Sequence, residues 1–167
     1  MKLLDRLRKI KVIAMDVDGV MTDGRIVYDG AGRELKFFDV QDGYALSRAR
    51  HNGLRTAVIS ARGCRAVKAR MADLKIDKVY LDAYPKIGAY RKMLVAFGVK
   101  DEEVCFIGDD LPDFEILSQV GLAAAPANAA TEIRRLSHLV SVRQGGRGAV
   151  RDIVEKILRA QGKWGVK

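Results

Sequence analysis

The sequence is poor in the residues that build cross-links and soft-metal sites. It has two cysteines, Cys64 and Cys105, and two histidines, His51 and His138. Two cysteines make no disulfide framework, and Cys105 lies inside the apolar run Val104–Ile107, where a small buried residue is expected. The histidines sit away from the acidic motifs, so neither is expected to ligate a metal. Proline is scarce, at three residues, and no proline- or serine-rich linker or low-complexity tract divides the 167 residues. One domain over 1–167 is expected, long enough to bury a core of its own. No apolar run approaches the ~18 residues that a membrane span needs. The basic stretch Met1–Lys11 lacks the apolar block and cleavage site of a signal peptide, so no membrane partner and a cytoplasmic location are expected.

Acid is outnumbered by base, and the formal net charge is +9. Arg62, Arg65, Lys68 and Arg70 form one basic run, with a looser one from Arg134 to Arg151. No zinc finger, helix-turn-helix or aromatic RNA-binding motif accompanies them. The charge is therefore read as solvated helix faces and attraction for a small anionic substrate rather than for nucleic acid.

What the sequence does have is short apolar runs at regular spacing: Val12–Met15, Ala57–Ile59, Val79–Leu81, Val104–Ile107, Leu122–Ala125 and Leu139–Val142. They show little alternation, as strands of a sheet covered on both faces do. Helical patterns fall between them: Asp42–Asn52 before Gly53, with Asp42 as cap; Pro85–Phe97 before Gly98; Leu111–Val120 before Gly121; one starting near Asn128; and Ala149–Ala160. Strand alternating with helix predicts an α/β fold with a doubly wound parallel sheet. One segment breaks the rhythm: Arg25–Phe38 reads as a β-hairpin turning at Asp29–Gly32. The polar end of the chain, 162–167, reads as a tail in which Trp164 packs on a partner or stays loose.

In such folds ligands bind beyond the carboxyl ends of the strands. Collected there are Asp16 and Asp18 after the first run, Ser60 and Arg62 after the second, Lys86 after the third, and Asp109, Asp110 and Asp113 after the fourth. Five carboxylates at one rim need a cation, and oxygen donors alone favour Mg²⁺. A hydroxyl and an ammonium beside them complete a phosphate cradle. One aspartate can then act as nucleophile and the other can exchange protons.

The motifs DVDGVMTDG, VISAR, Lys86 and GDDLPD resemble, in order and spacing, the four motifs of the haloacid dehalogenase superfamily of phosphohydrolases. DVDGVMTDGRIVYDGAGRELKFFDVQDGYA and GGRGAVRDIVEKIL resemble one branch, the phosphatases of 3-deoxy-D-manno-octulosonate (KDO) 8-phosphate in lipopolysaccharide precursor synthesis. The resemblance implies a fold without a cap domain, whose only insertion is the hairpin. It implies Asp16 as nucleophile and metal ligand, Asp18 as acid/base with its backbone carbonyl on the metal, and Ser60 and Lys86 on the phosphoryl group. Asp109 would ligate Mg²⁺, while Asp110 and Asp113 orient metal waters and neighbouring groups. Arg62 would hold the sugar carboxylate, and Arg147, in the Gly145–Gly148 loop, would face the site entrance. A homotetramer is implied, with hairpins carrying Ile26, Val27, Leu35, Phe37 and Phe38 packed together. Where the second motif usually reads threonine-glycine-arginine this chain has Ser60-Ala61-Arg62, and alanine restricts the turn. The alternative substrate is a nine-carbon sugar acid 9-phosphate, whose phosphatases tend to carry glutamate at the position of Arg62. A receiver-type phospho-acceptor domain is the further alternative, against which the order of the acidic groups argues.

Overall fold

A computed structural model describes residues 1–165, and Val166 and Lys167 lie outside it. Its strands are β1 (Val12–Met15), β2 (Val27–Tyr28), β3 (Glu34–Leu35), β4 (Arg55–Ile59), β5 (Lys78–Tyr80), β6 (Val104–Ile107), β7 (Leu122–Ala125) and β8 (Leu139–Val140). The helices are α1 (Leu3–Lys9), α2 (Val40–His51), α3 (Arg65–Asp73), α4 (Lys86–Phe97), α5 (Phe114–Leu117), α6 (Thr131–Leu136) and α7 (Ala149–Ala160). Six strands form one sheet in the order β5-β4-β1-β6-β7-β8, with every pair parallel. This is the doubly wound sheet that the spacing of apolar runs predicts.

The chain winds outward from β1 to one edge, then returns to β6 beside β1 and winds to the other. The β1/β6 boundary is therefore the switch point at which such sheets bind ligands. All four residues of β1 are buried because both faces of the sheet are covered. Ile13 and Met15 face a cluster with Leu46 of α2, Met71 of α3 and Ile153 and Ile157 of α7. Val12 and Ala14 face Tyr90 and Met93 of α4, Ile116 of α5 and Ile133 of α6. In α7 the buried residues Val150, Ile153, Val154, Ile157 and Leu158 recur at helical spacing and define its inner stripe.

The hairpin is present but short: β2 and β3 pair antiparallel through two residues each. Asp29 builds its turn, accepting from the Ala31 and Arg33 amides at 2.9 and 2.8 Å. Ile26, Leu35 and Phe37 are exposed, whereas Phe38 packs against the core beneath the Arg70 guanidinium. Phe38 thus leaves the apolar face expected of the hairpin, because it already lies at the entry to α2.

Several local expectations shift. The cap of α2 is Asp39, which accepts from the Gln41 amide at 2.6 Å, not Asp42. Asp42 is buried one turn later and accepts from the Arg151 amide at 2.7 Å. It therefore caps α7, whose own N-cap Gly148 has no side chain to offer. Burial raises the Asp42 carboxyl to about 6. The expected helix over 111–120 divides into a 3₁₀ turn at Leu111–Asp113 and the short α5. Pro112, with no amide to donate, occupies the turn. Asn128 caps no helix; its side chain accepts from the Gly145 amide at 2.9 Å. Trp164, read in the sequence as part of a polar tail, is half-buried. It packs against the core, with the Arg151 and Arg48 guanidinium groups 4.5 and 5.5 Å from its ring centroid. No helix among the described residues is long and apolar enough to cross a membrane.

Candidate active site

Parallel register brings the site together. Met15 lies level with Val58 of β4 and Ile107 of β6. Asp16, Ser60 and Asp109 consequently leave the same end of three adjacent strands. Asp16 is 8% exposed; its Oδ1 accepts from the Val17 amide at 2.6 Å, and its Oδ2 lies 2.7 Å from Lys86 Nζ. Lys86, the first residue of α4, also donates to Asp113 Oδ1 at 2.7 Å. Asp113 Oδ2 accepts from the Asp109 amide at 3.0 Å. The donor oxygens of Asp16, Asp109 and Asp113 all lie within 4.8 Å of one another.

Three carboxylates so close cannot all ionise comfortably in a partly dry site. Burial, then the charges of Asp113 and Asp16, pushes the Asp109 carboxyl up to about 7. Burial, then Asp16, raises Asp113 to about 6. Asp16 is raised as well, by burial above all, with Lys86 opposing. Burial works against the Lys86 ammonium, yet Asp113 and Asp16 raise its pKa. One ammonium leaves the cluster short of positive charge. An all-oxygen donor set with this deficit fits a hard dication such as Mg²⁺.

The loops around the cluster need glycine for space. Gly19 has φ +85°, and a Cβ there would stand 2.0 Å from Asp109 Oδ2. A Cβ on Gly145 would stand 1.8 Å from the Gly19 carbonyl oxygen. The Gly145–Gly148 loop thus lies directly against the loop that follows Asp18. By contrast Ala61 is not among the residues with positive φ. The second motif makes its turn without the left-handed conformation that would require glycine.

The remaining candidates sit around this centre. Ser60 is buried, and its hydroxyl accepts from the Arg62 amide at 3.3 Å. Asp18 pairs with Lys36, which follows β3. Arg62 is half exposed and reaches the hairpin, 3.5 Å from both Glu34 and the Tyr28 hydroxyl. Arg147 lies near enough to Asp23 to help lower its carboxyl pKa, after the larger effect of hydrogen bonds from Arg25. Asp110 is exposed, and its side chain accepts from the Leu111 amide at 2.8 Å. Asp113, expected to orient metal waters and neighbouring groups, stands in the carboxylate cluster with Asp16 and Asp109. Cys105 is buried as expected, and His138 Nδ1 accepts from the Ala123 amide at 2.9 Å. Lys36 and Glu34 went unnoticed in the sequence. Their signal is the alternation Glu34-Leu35-Lys36, which sends two charged side chains to the face opposite Leu35.

Carboxylates clustered at a switch point around a buried lysine are the equipment of an aspartate-based phosphohydrolase. The family model of haloacid dehalogenase-like hydrolases matches residues 78–144. The 3-deoxy-D-manno-octulosonate 8-phosphate phosphatase of Yersinia pestis is 37% identical over 161 residues, 96% of this chain and 86% of that protein. The Moraxella catarrhalis enzyme of the same name, solved with magnesium, phosphate and KDO, is 34% identical. It superposes with a TM-score of 0.93 over 95% of this chain and 91% of its own. A cobalt-bound Haemophilus influenzae relative gives a TM-score of 0.91 at 34% identity, over 94% and 92% of the two chains. The chain belongs to the KDO 8-phosphate phosphatase family of haloacid dehalogenase-like hydrolases.

Proposed function

We propose that the chain hydrolyses KDO 8-phosphate to KDO and phosphate through a phosphorylated Asp16. The observation that carries this reading is the pairing of a buried, lysine-held Asp16 with Asp18 two residues on, turned toward the hairpin. An Asp16 oxygen attacks phosphorus, and the bond to the sugar oxygen breaks as Asp18 gives that oxygen a proton. Water then attacks the aspartyl-phosphate, Asp18 takes the water's proton, and the carboxylate of Asp16 is released with phosphate. Ser60 and Lys86 hold the phosphoryl group throughout. The carboxylates of Asp16 and Asp109 and the backbone carbonyl of Asp18 would hold Mg²⁺, with Asp113 and Asp110 oriented about them. Bound there, the ion supplies the positive charge that the cluster lacks and that a phosphoryl group needs. A phosphate-release panel over sugar phosphates and sugar-acid phosphates tests the assignment. KDO 8-phosphate is expected to lead; preference for a nine-carbon 9-phosphate would reassign the substrate.

The metal can be tested without turnover. Raised carboxyl pKa values mean that the folded, metal-free chain binds more protons than the unfolded chain between pH 3.8 and about 7. That contribution to stability is present at low pH and is lost as pH rises through this window, on the order of 1–3 kcal/mol after solvent screening. Mg²⁺ favours the ionised carboxylates. Its addition should therefore raise the melting temperature more at pH 7.5 than at pH 5. An equal rise at both, or none, would remove Asp109 and Asp113 from the metal site.

Among the described residues Arg62 is held only by contacts of 3.5 Å, which suits its guanidinium to pair with the sugar's carboxylate. Such a charge-assisted contact is typically worth ~1.5–3 kcal/mol, roughly ten- to a hundredfold. Arg62→Ala should lower kcat/KM by that factor for KDO 8-phosphate and much less for a neutral sugar phosphate. Equal losses would make Arg62 a general phosphate or structural group. Arg147 is assigned to the substrate on the placement of its loop against Gly19.

The exposed Ile26, Tyr28, Leu35 and Phe37 on a two-stranded hairpin support assembly through the hairpins, because such a ribbon is marginal alone. A closed homotetramer is the proposed form. Sedimentation should show four copies, and a fully active monomer would contradict it.

A further inference from the structure

The Lys36 side chain is covered where a hairpin lysine has no need to be. It is 2% exposed, although its neighbours Leu35 and Phe37 both face solvent. A buried ammonium is costly unless paired, and Lys36 has two carboxylate partners. One is Asp18 Oδ1; the other is Glu34 Oε1 at 2.7 Å. The Glu34 side chain is itself largely buried, and its second oxygen lies 3.5 Å from the Arg62 guanidinium. An alternating line of charge therefore runs from Arg62 through Glu34 and Lys36 to Asp18. The hairpin's own pairing does not call for such a line: β2 and β3 meet through Val27–Leu35 and Tyr28–Glu34.

We propose that Lys36 is a positioning residue for the proton-transferring carboxylate of Asp18, with Glu34 fixing Lys36 in turn. This rests on the reading of Asp18 as proton donor and acceptor. The ammonium occupies Oδ1 and has only donors to offer. Oδ2 is left as the oxygen that meets the leaving alcohol and later the attacking water. Rotation of the carboxylate about its last bond, otherwise broad, is thereby restricted. The hairpin thus acts on the chemical step without touching phosphorus.

The test compares KDO 8-phosphate with p-nitrophenyl phosphate, whose leaving group needs little help from a proton, in the full chain with Mg²⁺. Loss of orientation forfeits part of the 10²–10⁴-fold that acid–base catalysis contributes. Lys36→Met should lower kcat on the sugar phosphate roughly 10–100-fold, with KM nearly unchanged and a much smaller loss on the aryl ester. Lys36→Arg should recover much of that loss. Glu34→Gln, which loosens Lys36 without touching Asp18, should show the same selectivity at smaller amplitude and stands in should Lys36→Met fold poorly. Lys36→Met should add almost nothing in an Asp18→Asn background, because the two act as one unit. Fully additive losses overturn the proposal. So does a raised KM at constant kcat, which would place the ammonium on substrate, or an equal fall on both esters that arginine does not rescue. Equal losses on both esters in Asp18→Asn alone would instead refute the role of Asp18, while the double variant still reports whether Lys36 works through it.

Discussion

Asp16→Asn is expected to abolish phosphate release while leaving the fold in place. The proposed nucleophile is an unprotonated carboxylate oxygen, and a carboxamide oxygen cannot form a phosphoryl ester that water then cleaves. The loss should reach several orders of magnitude, since uncatalysed phosphate-monoester hydrolysis is among the slowest reactions that enzymes accelerate. The structural cost is smaller and has a definite source. Asp16 accepts from the Val17 amide on one oxygen and meets the Lys86 ammonium with the other. Asparagine has one acceptor for those two donors, so one contact becomes donor against donor, about 1–3 kcal/mol. Removing a desolvated charge offsets part of that. The measurements are kcat on KDO 8-phosphate and the melting temperature of the same sample. A variant that retains turnover removes Asp16 as nucleophile; one that fails to fold leaves trapping of phosphate on the wild-type chain as the decisive measurement, expected at Asp16 and nowhere else.

The parts of this site that were legible in the sequence share one property. Asp16, Ser60, Lys86 and Asp109 each lie immediately beyond a short apolar run or open the helix after it, so parallel winding alone carries them to one rim. The winding itself was visible because both faces of the sheet are covered, which removes alternation and leaves unbroken apolar runs. What escaped notice depends on contacts across the chain. Asp42 looked like the cap of its own helix, and only the packing of α2 on α7 makes it the cap of another. Trp164 stood in a polar tail, and the arginines that hold it, Arg48 and Arg151, are distant in sequence. Helices α1 and α3 are short and rich in charge, with few buried residues to reveal a stripe. Asp113 was legible as a member of the rim, but its contacts within the cluster were not. The 3₁₀ segment around Pro112 folds it back onto the Asp109 amide and Lys86.

Lys86→Met should separate stability from chemistry. The side chain is 1% exposed and bonds Asp16 and Asp113 at 2.7 Å each. Methionine follows the lysine stem, lacks the terminal ammonium and removes the charge, so most of the packing is kept. Asp16, Asp109 and Asp113 then lose their shared cation and repel one another in a buried site. Breaking such a group by deleting one partner typically costs ~3–5 kcal/mol. The loss must depend on pH, because carboxyls can protonate instead. Asp109 and Asp113 already stand at about 7 and about 6 with Lys86 present, and its removal drives them higher. Below those values the carboxyls are neutral and little is lost; above them the full repulsion is felt. The melting temperature of Lys86→Met relative to wild type should therefore fall little at pH 5 and steeply at pH 8. Mg²⁺ should restore part of the loss at pH 8, since it supplies charge to the same oxygens. Turnover should stay low even then, because the ion does not reproduce an ammonium bridging Asp16 and Asp113 beside the phosphoryl group. A melting difference that is flat from pH 5 to pH 8 would show that Lys86 contributes packing rather than charge, and recovery of full turnover with Mg²⁺ would take the phosphoryl group from Lys86.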